Sequence, residues 1–435
     1  MEFIDAIFEP VLLPLIKVLA VVFVFAMGIG TLLTLAERKQ SAYMQRRRGP
    51  NRANIRIGSL NLRLGGLLHL VADPIKLIVK EDFVPEEANK PLHFIAPALG
   101  LVPAMIIFAI VPFMDFWCHG TSLPVGGVDY CFPLDPGAAA SFSLQDLSDP
   151  VFNPNLGHYF QIANINAGLL YMFAVTGISV YGAAIAGWAS NSKFSLLGGL
   201  RSSAQMISYE VALGLSLAGV LMIFGSLDVN EMVRQQGELL FGVVPKWGIV
   251  VQPLAFFLFL TASIAESKRA PFDMPECESE LVAGYFTEYS AMKFAVFSLG
   301  EFIAVVFIGT IVTTIFLGGW HIPWLYADGF HFSADSMIAA DGVGVQASAV
   351  QAYVTSSASG GALGPDIPLP YWVVVLLRIS AFLGKSLFLC FMQLQLRWTL
   401  PRFRYDQVMH LGWKILLPLS LLNLVITGVV MILLN

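Results

Sequence analysis

The chain has 435 residues, of which 56% are hydrophobic and 13% charged, with net charge −5 and a mean hydropathy of +0.71. A soluble domain carries about twice that charged fraction, so the composition excludes a soluble globular enzyme and points to an all-α integral membrane protein. Cys118, Cys131, Cys277 and Cys390 show neither CxxC nor Cys/His metal spacing, and there is no glycine-rich nucleotide motif or haem pattern. The chain is therefore expected to bind no metal, flavin or nucleotide itself, and no nucleic-acid partner is expected.

The N-terminus, with Glu2, Asp5 and Glu9, has no basic region and does not read as a signal peptide. Apolar segments of about 20 residues, the length that crosses a bilayer, fall near 11–36, 92–113, 164–189, 206–225, 249–265, 291–317, 371–396 and 414–433. Eight transmembrane helices are expected, the fifth being short. Segment 60–80 is different. Leu64, Leu67, Leu68, Val71, Ile75, Ile78 and Val79 follow helical spacing, with His69, Asp73, Lys76 and Lys80 opposite. This predicts an amphipathic helix at the cytoplasmic interface, irregular at Asp73-Pro74. A plain surface anchor would look the same.

Lys and Arg set the orientation. The 37–91 connection holds eleven, including Arg46, Arg47 and Arg48, whereas the long connections 114–163 and 318–370 hold none. Odd-numbered connections are thus expected in the cytoplasm and both termini on the periplasmic side of a bacterial inner membrane. The connections 114–163 and 318–370, rich in Gly, Ala, Ser and Pro, read as external insertions. Cys118 and Cys131 share the first of these, where an oxidising compartment permits bonding, and a disulfide between them is expected, with two unpaired thiols as the alternative.

Ionisable groups lie deep inside predicted spans: Glu210, about one turn into the fourth; Glu301, ten residues into the sixth; and Arg378 and Lys385, on one face of the seventh; Lys17, near the outer end of the first, can snorkel. A charge at such depth costs at least ~2.5 kcal/mol. It needs a polar interior, either an interhelical ion pair or a hydrated proton path. Segment 266–290 is an acidic cytoplasmic loop with Glu266, Asp273, Glu276, Glu278, Glu280 and Glu288 against Lys268 and Arg269. Carboxylates so close repel one another, so some are expected to hold protons near neutral pH.

AERK (36–39), RRRGPNR (46–52), ADPIKLIVKED (72–82), SNSKFSLLGGLRSSAQMISYE (190–210), AESKRAPFDMPECESELVAGYFTEYSAMKFA (265–295) and LPRFRYDQVMHLGWK (400–414) together resemble a known family. It is the quinone-site membrane subunit of respiratory complex I, the NADH:quinone oxidoreductase of bacteria. The resemblance runs from first helix to last. It implies a component of a redox-driven proton translocase that carries no redox centre and encloses most of a channel for ubiquinone or menaquinone. Its implied partners are other membrane-arm subunits, membrane lipid, and the iron–sulfur and quinone-site subunits of a hydrophilic arm. Glu210, Glu266, Asp273, Glu276, Glu278, Glu280, Glu288 and Glu301 match the family's acidic path. Glu37, Arg38, Asp73, Arg269, Lys385, Arg402 and Arg404 match the channel and its charged surroundings. The chain departs from the family in a longer first cytoplasmic connection, in His69, Pro74 and Cys277, and in its long external connections. An anchor subunit of a related membrane-bound hydrogenase and a stand-alone ion-coupled transporter are the alternative readings.

Overall fold

The computed structural model describes residues 12–57, 60–62, 64–114, 116–118, 121–125, 128–132, 157–237, 239–240, 244–274, 283–326, 329–330 and 367–434. Their helices in chain order are α1 (Pro14–Met44), α2 (His69–Val79), α3 (Lys90–Ile110), α4 (Gly168–Ala189), α5 (Lys193–Phe224), α6 (Val229–Gln235), α7 (Pro253–Glu266), α8 (Ala291–Phe316), α9 (Trp372–Thr399) and α10 (Tyr405–Leu433). Seven of these, all but α2, α6 and α7, are long and apolar enough to cross a membrane. They coincide with seven of the eight predicted spans.

The predicted fifth span is interrupted. A helical turn, Gly248–Val251, ends at Gln252, whose backbone (φ −134°, ψ 62°) leaves the helical region, and Pro253 opens the 14-residue α7. At 1.5 Å per residue α7 extends about 21 Å, short of the ~30 Å hydrocarbon core. Proline suits a first helical turn because its missing N–H has no partner there. Polar groups fill the break. Gln252 Nε2 donates to Thr427 Oγ1 at 2.6 Å, and Asn423 Nδ2 donates to Gln252 Oε1 at 3.0 Å.

Several boundaries move from their predicted places. α1 continues through Met44, so Glu37 and Arg38 ride on its last turns rather than in a loop. α5 begins at Lys193, so Glu210 lies seventeen residues in, at mid-helix, not one turn in. The predicted 397–413 connection shrinks to residues 400–404. Apolarity marks only the part of a helix that lipid or core demands; polar turns extend it wherever packing supports them. The amphipathic segment is also shorter than predicted. Strands β1 (Ile55–Ile57) and β2 (Leu60–Leu62) pair antiparallel with Ile55 opposite Leu62. The chain then turns through Leu64, Gly65 and Gly66 at φ 39°, 61° and 98°. α2 starts only at His69 and runs through Pro74 without ending, so the predicted irregularity does not break it. Its apolar side chains Val71, Ile75, Ile78 and Val79 are exposed in the isolated chain.

Small residues bring the central helices together, as lipid-embedded packing favours. A Cβ added to Gly182 of α4 would lie 2.9 Å from the Gly100 backbone nitrogen of α3, and one on Gly199 of α5 2.8 Å from the Ala183 carbonyl. α8 is the most enclosed span and α10 the least. Phe25, Phe108, Phe113, Phe307 and Phe382 interlock edge to face around α8. The odd-numbered connections meet at one end of the bundle, where Asn191 Nδ2 donates to Glu87 Oε2, Ser290 Oγ to Glu81 O and Phe403 N to Pro271 O. At the other end Asn230 Nδ2 donates to Gln161 Oε1 and Gly318 N to Gln236 Oε1, joining the even-numbered ones. Cys118 ends β3 (Phe116–Cys118), which pairs with β6 (Gly157–Tyr159); Cys131 lies in β5 (Val128–Phe132), which pairs with β4 (Thr121–Val125). Their sulfur atoms lie outside the described residues.

Candidate functional site

The turn that follows α7 sets up the site. Lys268 adopts the left-handed region (φ 57°), and Phe272 N donates to Arg269 O at 2.9 Å, folding residues 267–274 into a tight knot. Gln205, fully buried on α5, clamps this knot at both ends. Its Nε2 donates to Ala265 O at 2.7 Å and to Phe272 O at 2.9 Å. Phe272 in turn stacks on Phe403, with Phe403 N donating to Pro271 O at 3.2 Å.

Arg269 is thereby held as a hub between helices. Its Nη1 donates to Glu37 Oε2 of α1 at 3.1 Å, and its Nε lies 3.8 Å from Glu301 Oε2 of α8. Its guanidinium covers the Phe302 ring at 3.9 Å. Glu37 holds a second cation, Arg397 at the end of α9, through Oε1 at 2.8 Å. Glu301 Oε1 accepts a long 3.4 Å bond from Tyr285 OH, which accepts from Lys268 Nζ at 3.2 Å. The Arg269, Glu37 and Glu301 side chains are only 10–13% exposed. Opposite charges so enclosed are screened far less than surface pairs.

Behind the hub lies a cavity of about 100 Å³ between α3, α4, α5, α7 and α8. Glu266, Glu301, Lys268 and Tyr285 line it together with Thr176, Ser179, Ser263 and Ser267, and the remaining lining residues are apolar. Its size and polar groups suit several waters. Glu210 faces α4 next to this space: a Cβ on Gly177 would lie 3.3 Å from its Oε1. Acids from α7 and α8 thus line one interior, and Glu210 of α5 stands near enough to act on Glu266.

The remaining predicted residues spread outward from this centre. Asp273 is buried and meets the half-exposed Arg402 at 3.3 Å. Arg38 and Asp73 pair at 2.6 Å on the surface, tying α1 to α2. Glu288 contributes its backbone oxygen, 3.3 Å from Nε2 of the buried His93, whose ring stacks on Tyr289 at 4.1 Å. Burial pushes the Tyr289 phenol well above its usual pKa. Arg404 is exposed, and its backbone N–H donates to Gln407 Oε1 at the start of α10. Glu276, Glu278 and Glu280 lie outside the described residues. Lys385 is not part of the cluster. It bonds to backbone carbonyls beyond the far end of α8, and a basic residue seven positions from Arg378 revealed its face but not its depth. Three members were not singled out from the sequence: Arg397, which reads as one more positive-inside charge; Tyr285, which reads as core; and Gln205, an uncharged residue in a helix. None carries a local signal.

The NADH dehydrogenase family profile matches residues 16–428. The first H-type chain of NADH-quinone oxidoreductase from Geobacter metallireducens is 38% identical over 95% of this chain and 95% of its own length. The second H-type chain from Koribacter versatilis is 41% identical over 96% of each, and the first from Cytophaga hutchinsonii 36% over 94% of each. Buried acids on three helices and the basic hub beside them therefore sit in a chain that belongs to the NADH dehydrogenase family, among the H subunits of NADH-quinone oxidoreductase.

Proposed function

We propose that this protein forms most of a quinone channel and couples quinone reduction to proton translocation through its buried carboxylates. One observation carries the reading: Glu266 and Glu301 line one cavity, Glu210 stands close enough to act on Glu266, and Glu301 links that cavity to the Arg269–Glu37–Arg397 cluster. Electrons arrive from an iron–sulfur cluster in another component of the complex, in the hydrophilic arm. Reducing a quinone, ubiquinone or menaquinone, to its quinol consumes two electrons and two protons. Until those protons arrive, the headgroup carries negative charge. That charge competes with Glu37 and Glu301 for Arg269, and the acidic loop 266–290, including Glu276, Glu278 and Glu280, responds by taking up protons or moving. The change passes through the cavity to Glu210 and on to neighbouring membrane-arm subunits.

In this reading the chain makes eight passes of a bacterial inner membrane, α7 and the preceding turn forming the fifth. Both termini are periplasmic, and α2 lies in the cytoplasmic interface with its apolar side against lipid or the quinone tail. The test is Glu210→Gln in the assembled complex, which removes a charge and keeps the shape. Quinone-linked turnover and proton pumping are expected to fall together, while electron transfer from NADH to a water-soluble acceptor persists. Normal turnover and pumping in the assembled variant would return Glu210 to a packing role.

A further inference from the structure

The end of the bundle opposite the charge cluster is closed by a cation. The cavity's last lining residue on α8 is Ile311. Past it, Val312, Ile315 and Phe316 are fully buried. The hydroxyls of Thr313 and Thr314 donate to their own helix, at Gly309 O (2.8 Å) and Thr310 O (2.7 Å), and Thr313 Oγ1 accepts a long 3.4 Å bond from Ser386 Oγ, the neighbour of Lys385 on α9. The buried Gln236 is likewise consumed: its Nε2 donates to Thr314 O at 2.9 Å, and its Oε1 accepts from Gly248 N and Gly318 N. Beyond this layer lies Lys385. Its Nζ donates to Leu317 O (2.8 Å), Gly319 O (3.0 Å) and His321 O (2.7 Å), and rests 4.5 Å from the centre of the Trp247 ring.

Three carbonyls match the three protons of an ammonium. The ring face adds cation–π attraction, and the C-terminal end of α8 adds its dipole. Each favours the charged amine. Among the described residues no carboxylate pairs with Lys385. Arg378, two turns away on α9 and buried, has its Nη2 3.5 Å from Leu325 O.

We propose that Lys385 is an electrostatic barrier that keeps protons from leaking back into the proton path from the side to which they are pumped. The inference rests on the proton-translocating function and the orientation proposed above. A helix cap alone needs only donors; a barrier needs the charge. A unit charge about 10 Å from a crossing proton, at an effective dielectric of about 20, lowers its occupancy on the order of tenfold, and fixed cations exclude protons from other pores in this way.

The test is passive proton entry into liposomes carrying the assembled complex, without NADH, under an imposed potassium diffusion potential. Lys385→Gln keeps donors for the carbonyls and removes the charge; it is expected to raise the leak on the order of tenfold, while Lys385→Arg stays as tight as the parent. If the Gln variant does not assemble, Lys385→Met, which keeps the packing of the stem, carries the same comparison. An assembled neutral variant as tight as the parent overturns the inference, and so does an Arg variant that leaks as much as the neutral one. A parent complex that pumps no protons during turnover overturns the proposed function instead, through a separate measurement.

Discussion

Among the described residues, Arg269 is the one side chain that pairs with carboxylates of both α1 and α8, and Arg269→Met removes it. At an effective dielectric of about 20, its contacts with Glu37 at 3.1 Å and Glu301 at 3.8 Å are each worth about 4–5 kcal/mol before desolvation. Removing one partner of a buried pair costs about 3–5 kcal/mol net, because the other charge stays buried. The two carboxylates are not left equal. Glu37 keeps Arg397 at 2.8 Å, whereas Glu301 keeps the long bond from Tyr285 and the more distant attraction of Lys268 and Arg397, with no direct ion pair. The cost therefore falls mainly on Glu301. Arg269→Met is expected to shorten the half-life of the detergent-solubilised complex at fixed temperature by the equivalent of about 2 kcal/mol or more, the part of the loss that reaches the unfolding barrier. Adding Glu301→Gln is expected to restore at least about 1 kcal/mol of this, and adding Glu37→Gln clearly less. The assay follows the loss of folded protein on native gels, which does not depend on turnover. Equal rescue by the two Gln substitutions, or no loss from Arg269→Met, would refute the asymmetry.

Gly177→Val is expected to lower quinone-linked turnover several-fold with the complex assembled, because even the first added carbon lies 3.3 Å from Glu210 Oε1 and the branched side chain must displace the carboxylate. Gly177→Ala is expected to fall between Val and the parent, and a Val variant with parental turnover would show that Glu210 has no fixed position. For orientation, Glu86→Cys in the 37–91 connection is expected to react with an impermeant thiol reagent only in inside-out vesicles, and labelling in intact cells would overturn the topology.

Much of this protein is legible in its sequence because membrane burial is a local demand. A span must be apolar along its own length, so seven long helices stand out as continuous runs, and the absence of Lys and Arg from 114–163 and 318–370 separates one set of connections from the other. Glu210 and Glu301 are equally visible, since a carboxylate within an apolar run is costly wherever the helix sits. What the sequence left open depends on neighbours. The start of α5 at Lys193 and the end of α1 at Met44 lie in polar turns whose helical state rests on packing, and Gln252 interrupts the fifth segment because Thr427 and Asn423, far along the chain, accept from it and donate to it. Whether Arg269 meets Glu37, Glu301 or neither is decided by how closely α1, α7, α8 and α9 approach. Glu37 holds Arg269 and Arg397, residues more than two hundred positions away. Lys385 likewise matched a channel residue by its place in the chain, and the backbone carbonyls past α8 put it at the opposite end. Hydropathy is summed along the chain, whereas charge pairing falls off over a few ångströms in space, so only the packed helices decide which buried charges act together.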